Sequence, residues 1–268
     1  MKLGVVGTDA RAQRRAAALR TWPGAELVGL LDVDSVWHGT DDVLAAFLGS
    51  VEVVFVATPP AVAFQVTAAA AQQGVHVLLE WPPVASLQEA EGVVKLAEEA
   101  GIEVGVSRPL RWHPALAPWA GSKAELVLFQ QTLTGLEAPG WPRLLADAAD
   151  LCIALAGSSS VQRVEAEAVR GAMPWPDALA CSLRFHSGAY AQIGIRRAAT
   201  AACTVFAARP GQQHEAHLVP LTPEQTPPEV QETHAFLTAI AQQQPLPVSI
   251  LDGLATLRLV EHLMAKLR

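Results

Sequence analysis

The feature that most constrains this 268-residue chain is the strict alternation of short apolar runs with helix-forming stretches between residues 3 and 106. Runs at 3–6, 27–31, 53–56, 75–79 and 103–106 are short and apolar but for His76 and Glu103, the pattern of strands buried on both faces of a parallel sheet. Between them, 10–20, 43–48, 62–73 and 87–100 read as helices. Gly74 and Gly101 stand where a helix C-terminal glycine belongs, and Ser86 with Glu89 makes a Ser-x-x-Glu capping box. Repeated βα units of this kind form a doubly wound parallel sheet with ligands at the carboxyl ends of its strands.

After Arg108 the pattern changes. A short helix at 114–119 leads to a strand at 125–132 and a helix at 143–156. Strands are predicted at 161–169, 179–185, 189–196 and 203–207, with Ser187-Gly188 as a hairpin turn. The proline-rich stretch 220–228 reads as a linker, and helices at 229–243 and 251–267 close the chain. The expectation is an α/β protein: an amino-terminal Rossmann domain, 1–108, and an α+β domain, 109–268, with a largely antiparallel open sheet. The last helices could pack back on the first domain. No internal repeat or low-complexity tract is visible.

Composition narrows the partners. A formal net charge of -7 argues against a nucleic-acid or polyanion binder. Cys152, Cys181 and Cys203 are odd in number and far apart, which points to buried reduced thiols and a cytoplasmic protein rather than a disulfide framework. They have no local catalytic context and read as core. Asp9, Arg11, Arg14 and Arg15 cut short an apolar start that briefly imitates a signal peptide. No segment is long and apolar enough to span a bilayer, so no membrane partner is expected. Hydrophobic residues make up 51% and charged residues 17%, which leaves room for a buried oligomer face.

The carboxyl ends of the predicted strands hold the candidate cofactor residues. Gly7 follows the first strand and opens the first helix, where a dinucleotide fold places its phosphate turn. Asp32, 25 residues further on, ends the second strand, where a carboxylate can accept both ribose hydroxyls and favour NAD over NADP. The alternative for Asp32 is a solvated strand-end carboxylate. Thr58-Pro59-Pro60 ends the third strand in the crevice that would face the nicotinamide half.

The glycine fingerprint reads Gly7-Thr8-Asp9-Ala10-Arg11-Ala12. Ala12 is a tolerable third position. Asp9 replaces the glycine that lets pyrophosphate approach the backbone, adding bulk and a like charge. At ~4 Å and an effective dielectric of ~20, each such charge pair costs about 4 kcal/mol, nearly three decades of affinity. Arg11 or a displaced loop would offset part of it. Asp9 is also an excellent helix N-cap. Arg11, Arg14 and Arg15 share a helix face and read as a solvated stripe rather than a phosphate clamp.

These and other segments resemble the Gfo/Idh/MocA family, the glucose–fructose oxidoreductase and inositol dehydrogenase relatives. The carriers are Leu30-Leu31-Asp32, the run from Val51 to Pro60, Gly74 to Leu79 with Glu80-Trp81-Pro82, and Arg111-Trp112-His113-Pro114. Asp150 to Gly157, Val161-x-x-Val164-x-Ala166, Phe236 to Ile240, Pro247-Val248-Ser249 and Asp252-Gly253 continue the likeness along nearly the whole chain. The resemblance implies a Rossmann domain binding NAD or NADP through Gly7, Thr8, Asp9, Asp32, Thr58, Pro59, Glu80 and Pro82. It also implies a second sheet domain and homodimers through the open face of that sheet.

The chemistry it implies is hydride transfer between a sugar or polyol carbon and nicotinamide. In the family, a lysine in a Glu-Lys-Pro tripeptide orients the hydroxyl, and an Asp and a His four residues apart on one helix supply acid and base. At those positions this chain carries Trp81, Arg143 and Asp147. The preceding loop is reduced to residues 135–142, and its glycine-rich turn is absent. Neither indole nor guanidinium can act as a general base near neutrality. Asp147 could do so if burial raised its pKa, although Arg143 one turn away would favour its charged form. The plainer reading is an Arg143–Asp147 helix salt bridge, with Trp81 filling volume left by the missing substrate. His113 lies in the segment that enters the family's substrate cleft and is an alternative base. His214-x-x-His217 lacks a third ligand and reads as a solvated loop, so no metal is expected.

The expectation is therefore a dehydrogenase-fold protein that has lost the family reaction. It would bind dinucleotide weakly or not at all, and would act as a binding, regulatory or scaffold subunit with a small-molecule ligand in the interdomain cleft. The rival is an active oxidoreductase using Asp147 or His113 as base and Arg143 to hold an anionic substrate.

Overall fold

The computed structural model describes residues 1–32, 41–119, 121–134, 140–171, 176–222 and 224–267. Its amino-terminal elements are β1 (Lys2–Val6), α1 (Ala10–Arg20), β2 (Glu26–Leu31), α2 (Asp41–Leu48), β3 (Val53–Val56), α3 (Pro60–Gln72), β4 (His76–Leu79), α4 (Leu87–Ala100) and β5 (Val104–Val106). Among the described residues the strands form one sheet in the order β2-β1-β3-β4-β5, every neighbouring pair parallel. The order reverses between β1 and β3, so the crevice beyond the carboxyl ends of these strands is where such a sheet accepts ligands. Strands β3 and β5 are buried at every position, as their unbroken apolar sequences require.

Local signals act as read. Ser86 Oγ accepts from the Glu89 N–H at 3.1 Å, and Glu89 returns by accepting from the Ala85 N–H at 2.8 Å. Gly101 ends α4 in the left-handed region, at φ 65°.

The chain divides into two units, and the division is not a single cut. The first takes Met1–Pro109 and Thr226–Leu254, the second Leu110–Gln225 and Ala255–Arg268. Helix α6 (Pro228–Gln242) therefore belongs with the Rossmann sheet. It packs along α1, and its Phe236 meets Phe55 of β3 edge-on at 5.9 Å.

The second unit contains β6 (Leu126–Leu133), α5 (Gly140–Ala156), β7 (Val161–Val169), β8 (Ala178–Phe185), β9 (Tyr190–Arg197), β10 (Ala202–Arg209) and β11 (Gln212–His217). Helix α7 (Ile250–Lys266) spans the division. The sheet order is β11-β10-β6-β9-β8-β7, antiparallel except where β6 and β9 run together. Helix α5 covers β6 and β9, burying Val127, Phe129, Ile193 and Ile195. Alternation sends Leu126, Leu128 and Phe206 to the opposite face, where they are half-buried.

One reading is overturned. His214-x-x-His217, expected in a solvated loop, lies in the edge strand β11. Its sequence is almost wholly polar because Ala216 is its one fully buried side chain; His214 on the same face is half-buried with Nε2 3.2 Å from the Ala115 carbonyl, and the backbone ladder to β10 holds the rest. No helix among the described residues is long and apolar enough to cross a membrane.

Candidate functional site

At the carboxyl end of β1 the phosphate turn is partly kept. Gly7 has φ 127°, and a Cβ there would lie 2.5 Å from the Ala57 carbonyl oxygen, so glycine is required by backbone conformation and by the approach of β3. The Gly7 N–H donates to the Leu31 carbonyl at 2.7 Å. Thr8 Oγ1 lies 3.4 Å from Asp32 Oδ1, which brings the turn and the strand-end carboxylate together on an exposed edge.

Asp9 is the N-cap of α1. Its Oδ1 accepts from the Arg11 N–H at 2.9 Å and the Ala12 N–H at 3.0 Å, while Oδ2 pairs with Arg11 Nε at 2.9 Å. A helix N-terminus binds anions through these first N–H groups. Here the protein's own carboxylate takes two of them. Partial burial works against its charge, but the Ala12 N–H and the Arg11 side chain outweigh it and hold the Asp9 carboxyl below the usual range.

At β3 the Thr58 side chain is buried, with Oγ1 3.3 Å from the Pro59 carbonyl, and Pro59 caps α3 by its backbone alone. At β4 and β5 the arrangement departs most from the sequence expectation. Arg15 is not part of a solvated stripe; it is 3% exposed. Its Nη2 donates to Glu80 Oε1 at 2.7 Å, Ser107 Oγ at 2.8 Å and Glu232 Oε2 at 3.1 Å. Its Nη1 donates to Thr233 Oγ1 at 2.8 Å. Glu232 also accepts from Ser107 Oγ at 2.9 Å and from the Arg108 backbone N–H. Burial opposes the charge of Arg15, and Glu80 and Glu232 more than restore it, so its pKa stands above the ordinary value. Burial also raises the Glu232 carboxyl, against the pull of Arg15. Glu80, expected at the cofactor, thus directs its carboxylate to a buried arginine. The signal available in the sequence was spacing: Arg15 shares the helix face of Ala12, Ala16 and Leu19, which are all buried.

Trp81 is 7% exposed and Arg108 1% exposed. The Arg108 guanidinium carbon lies 3.3 Å from the Trp81 ring centroid. The Trp81–Pro82 peptide is cis, and Pro82 is exposed.

In the second unit, His113 and Asp147 line one cavity of about 440 Å³, with Leu144 and Cys203. The Ala115 N–H donates to His113 Nδ1 at 3.3 Å, which leaves the proton on Nε2, 3.1 Å from the Val219 carbonyl. Both ring nitrogens are therefore engaged by backbone. Arg143 is exposed, and no ion pair between it and Asp147 is found among the described residues. The carboxylate–arginine pair of this helix is Asp150 with Arg111, bidentate at 2.7 and 2.8 Å, with Thr256 Oγ1 at 3.3 Å. Burial first, and then Asp147, push the Cys203 thiol up to about 12; burial does the same to Cys181. All three cysteines are free. Residues 135–139 of the short loop before α5 lie outside the described residues.

Residues 1–107 match the family model for the Gfo/Idh/MocA oxidoreductase family, NAD-binding Rossmann fold. A UDP-N-acetylglucosamine 3-dehydrogenase of Acidithiobacillus ferrooxidans is 34% identical over 71 residues, 26% of this chain and 23% of that protein. The chain thus spans under a quarter of this curated relative. A crystal form of the UDP-N-acetylglucosamine 3-dehydrogenase from Acidithiobacillus ferrooxidans superposes with a TM-score of 0.84 at 19% identity, covering 100% of this chain and 97% of that one. The scyllo-inositol dehydrogenase of Lactobacillus casei with NAD(H) and scyllo-inositol gives 0.74 at 16% identity, covering 100% and 96%. At such identities the structural likeness speaks for the fold.

Proposed function

We propose that this chain is a member of the Gfo/Idh/MocA oxidoreductase family, whose model matches residues 1–107, and that it keeps the family's NAD-binding type of fold while having given up sugar or polyol dehydrogenase chemistry. In this reading it is a small-molecule-binding, regulatory or scaffold protein with weak or no affinity for dinucleotide. The observation that carries the reading is the Trp81–Arg108 stack: the position where the family resemblance expects a hydroxyl-orienting lysine is occupied by a buried indole under a guanidinium.

Three other features point the same way. The residues fit a dinucleotide only in part. Gly7, Thr8 and Asp32 are arranged as a ribose-side edge requires, and when bound there the nicotinamide group would supply a hydride acceptor. The pyrophosphate side does not fit, because Asp9 places a carboxylate on the Arg11 and Ala12 N–H groups. On the acid/base helix, Arg143 is exposed and cannot accept a proton, and the alternative base His113 has both nitrogens on backbone partners.

A second copy of the chain is the partner this reading assigns to the open sheet face. The register sets Leu128 beside Phe206 and beside Gln192, with Ser182 and Glu165 further out. Two such faces would bury their apolar centre and leave a polar rim. The direct test of the functional reading is nicotinamide reduction at 340 nm with myo-inositol, scyllo-inositol and UDP-N-acetylglucosamine. No turnover is expected, and steady NADH formation with any of them would end the reading.

A further inference from the structure

The cavity in the second unit is lined by side chains unlike those a polyol needs. Nine of its fourteen lining residues are Leu, Val, Ala or Pro, among them Leu110, Leu133, Leu144 and Leu218. These four leucines are half-buried, and Val219 at the rim is 61% exposed. Apolar surface left open around a concave site marks a place where something apolar binds. The volume of about 440 Å³ lies within the range of small-molecule pockets.

The polar groups there are largely spent on the protein. Thr132 Oγ1 donates to the Thr200 carbonyl at 2.8 Å, and His113 uses both ring nitrogens on Ala115 and Val219. The Cys203 thiol is a weak hydrogen-bonding group. Among the described lining residues there is no Lys or Arg to meet a phosphate or carboxylate. An inositol would bring six hydroxyls into a site where, among the described lining residues, Gln131 is the main polar side chain left to meet them, Asp147 being engaged already. Each hydroxyl left without a partner costs affinity, so a polyol is disfavoured by the lining itself.

We propose that this cavity is a binding site for an uncharged, predominantly hydrocarbon small molecule, oriented by a single polar group toward Gln131. The proposal deepens the binding-protein reading above and rests on it. The ligand would enter a site built between the end of β6, the start of β10, the segment after β11 and α5. The ladder sets Cys203 opposite Gln131, and Leu218 donates its N–H to the Cys203 carbonyl at 2.8 Å. Two-residue alternation places Ala201 on the same side as Cys203, so a larger side chain at 201 would enter the site from its exposed rim.

The test uses the full chain and N-phenyl-1-naphthylamine, a neutral apolar fluorophore. The expected result is a saturable rise in its emission, weakened about tenfold or more by Ala201→Trp and by Leu144→Ser. Thermal unfolding of both variants controls for folding, and Ala201→Trp, at an exposed position, reads the site alone if Leu144→Ser fails to fold. Myo-inositol and UDP-N-acetylglucosamine should not displace the probe. No saturable rise, a rise unchanged in folded Ala201→Trp, or displacement by either polar compound overturns the proposal. NADH formation assayed on the same samples separates the two ideas: turnover refutes the functional reading, whereas loss of probe binding without turnover refutes the ligand class alone.

Discussion

Arg108 stacks on Trp81 because parallel pairing carries them to the same level. The β4–β5 register pairs Leu79 with Val106, and two further residues along each chain lie Trp81 and Arg108, 3.3 Å apart from guanidinium carbon to ring centroid. The same extension sets Glu80 level with Ser107, and both meet Arg15. A tripeptide that resembles a substrate-orienting element is thereby built into a structural joint.

Trp81→Lys is expected to restore no dehydrogenase activity, because the acid/base positions on α5 remain Arg143 and Asp147. It should also lower stability by about 2–4 kcal/mol, through lost aromatic burial and an ammonium placed beside the buried Arg108. Urea unfolding with an NADH assay checks both. Turnover by this single variant would contradict the idea that several functions were lost together.

Arg15→Met should cost about 3–5 kcal/mol, because it leaves Glu80 and Glu232 without their shared cation inside the protein. Chemical denaturation at neutral pH measures this. A loss under about 1 kcal/mol, the scale of an exposed pair, would mean that the joint is solvated.

The pH dependence of that joint has a defined sign. Burial raises the Glu232 carboxyl above its unfolded value, so between the two values the folded protein holds more protons than the unfolded chain. Stability contributed by this group is present below the unfolded pKa and falls as pH rises through the folded one. Glu232→Gln cannot titrate. The stability of this variant relative to wild type should therefore increase as pH rises above the ordinary carboxyl range. A difference that stays flat or declines with pH would contradict the assignment.

Sedimentation should give a mass twice 28.4 kDa. Leu128→Lys, at the centre of the open sheet face, should return the monomer with little change in unfolding temperature. A wild-type monomer would remove the proposed interface.

Much of the fold was legible because buried parallel strands are written as unbroken apolar runs, and because Ser86 and Gly101 cap α4 by local chemistry alone. Strand β11 was not legible. An edge strand with one inward apolar side chain, Ala216, has no apolar alternation to read. Arg15 was misread because its partners at 80, 107, 232 and 233 are remote in sequence, although its place among Ala12, Ala16 and Leu19 marked the inner face of α1. The Arg143–Asp147 expectation meets the opposite difficulty. Spacing on a helix permits an ion pair without requiring one, and Arg143 turns to solvent. At the phosphate turn the residue identities were informative in advance: Asp9 was legible as an N-cap, and its hydrogen bonds are those of one.

Asp9→Gly should raise the affinity for NAD by about tenfold or more, since it removes the carboxylate from the helix N-terminus while glycine remains an acceptable cap. Asp9→Asn, which keeps the cap and removes the charge, should recover part of that gain. Equal, unchanged affinities in calorimetry would show that the turn is not the obstacle.

The central claim, a dehydrogenase fold without its hydride carrier, is tested most directly by titrating NAD, NADH, NADP and NADPH into the wild-type protein by calorimetry. The account predicts no saturable binding below about 1 mM, weaker than about −4 kcal/mol. Micromolar saturable binding that disappears in Asp32→Ala would contradict it.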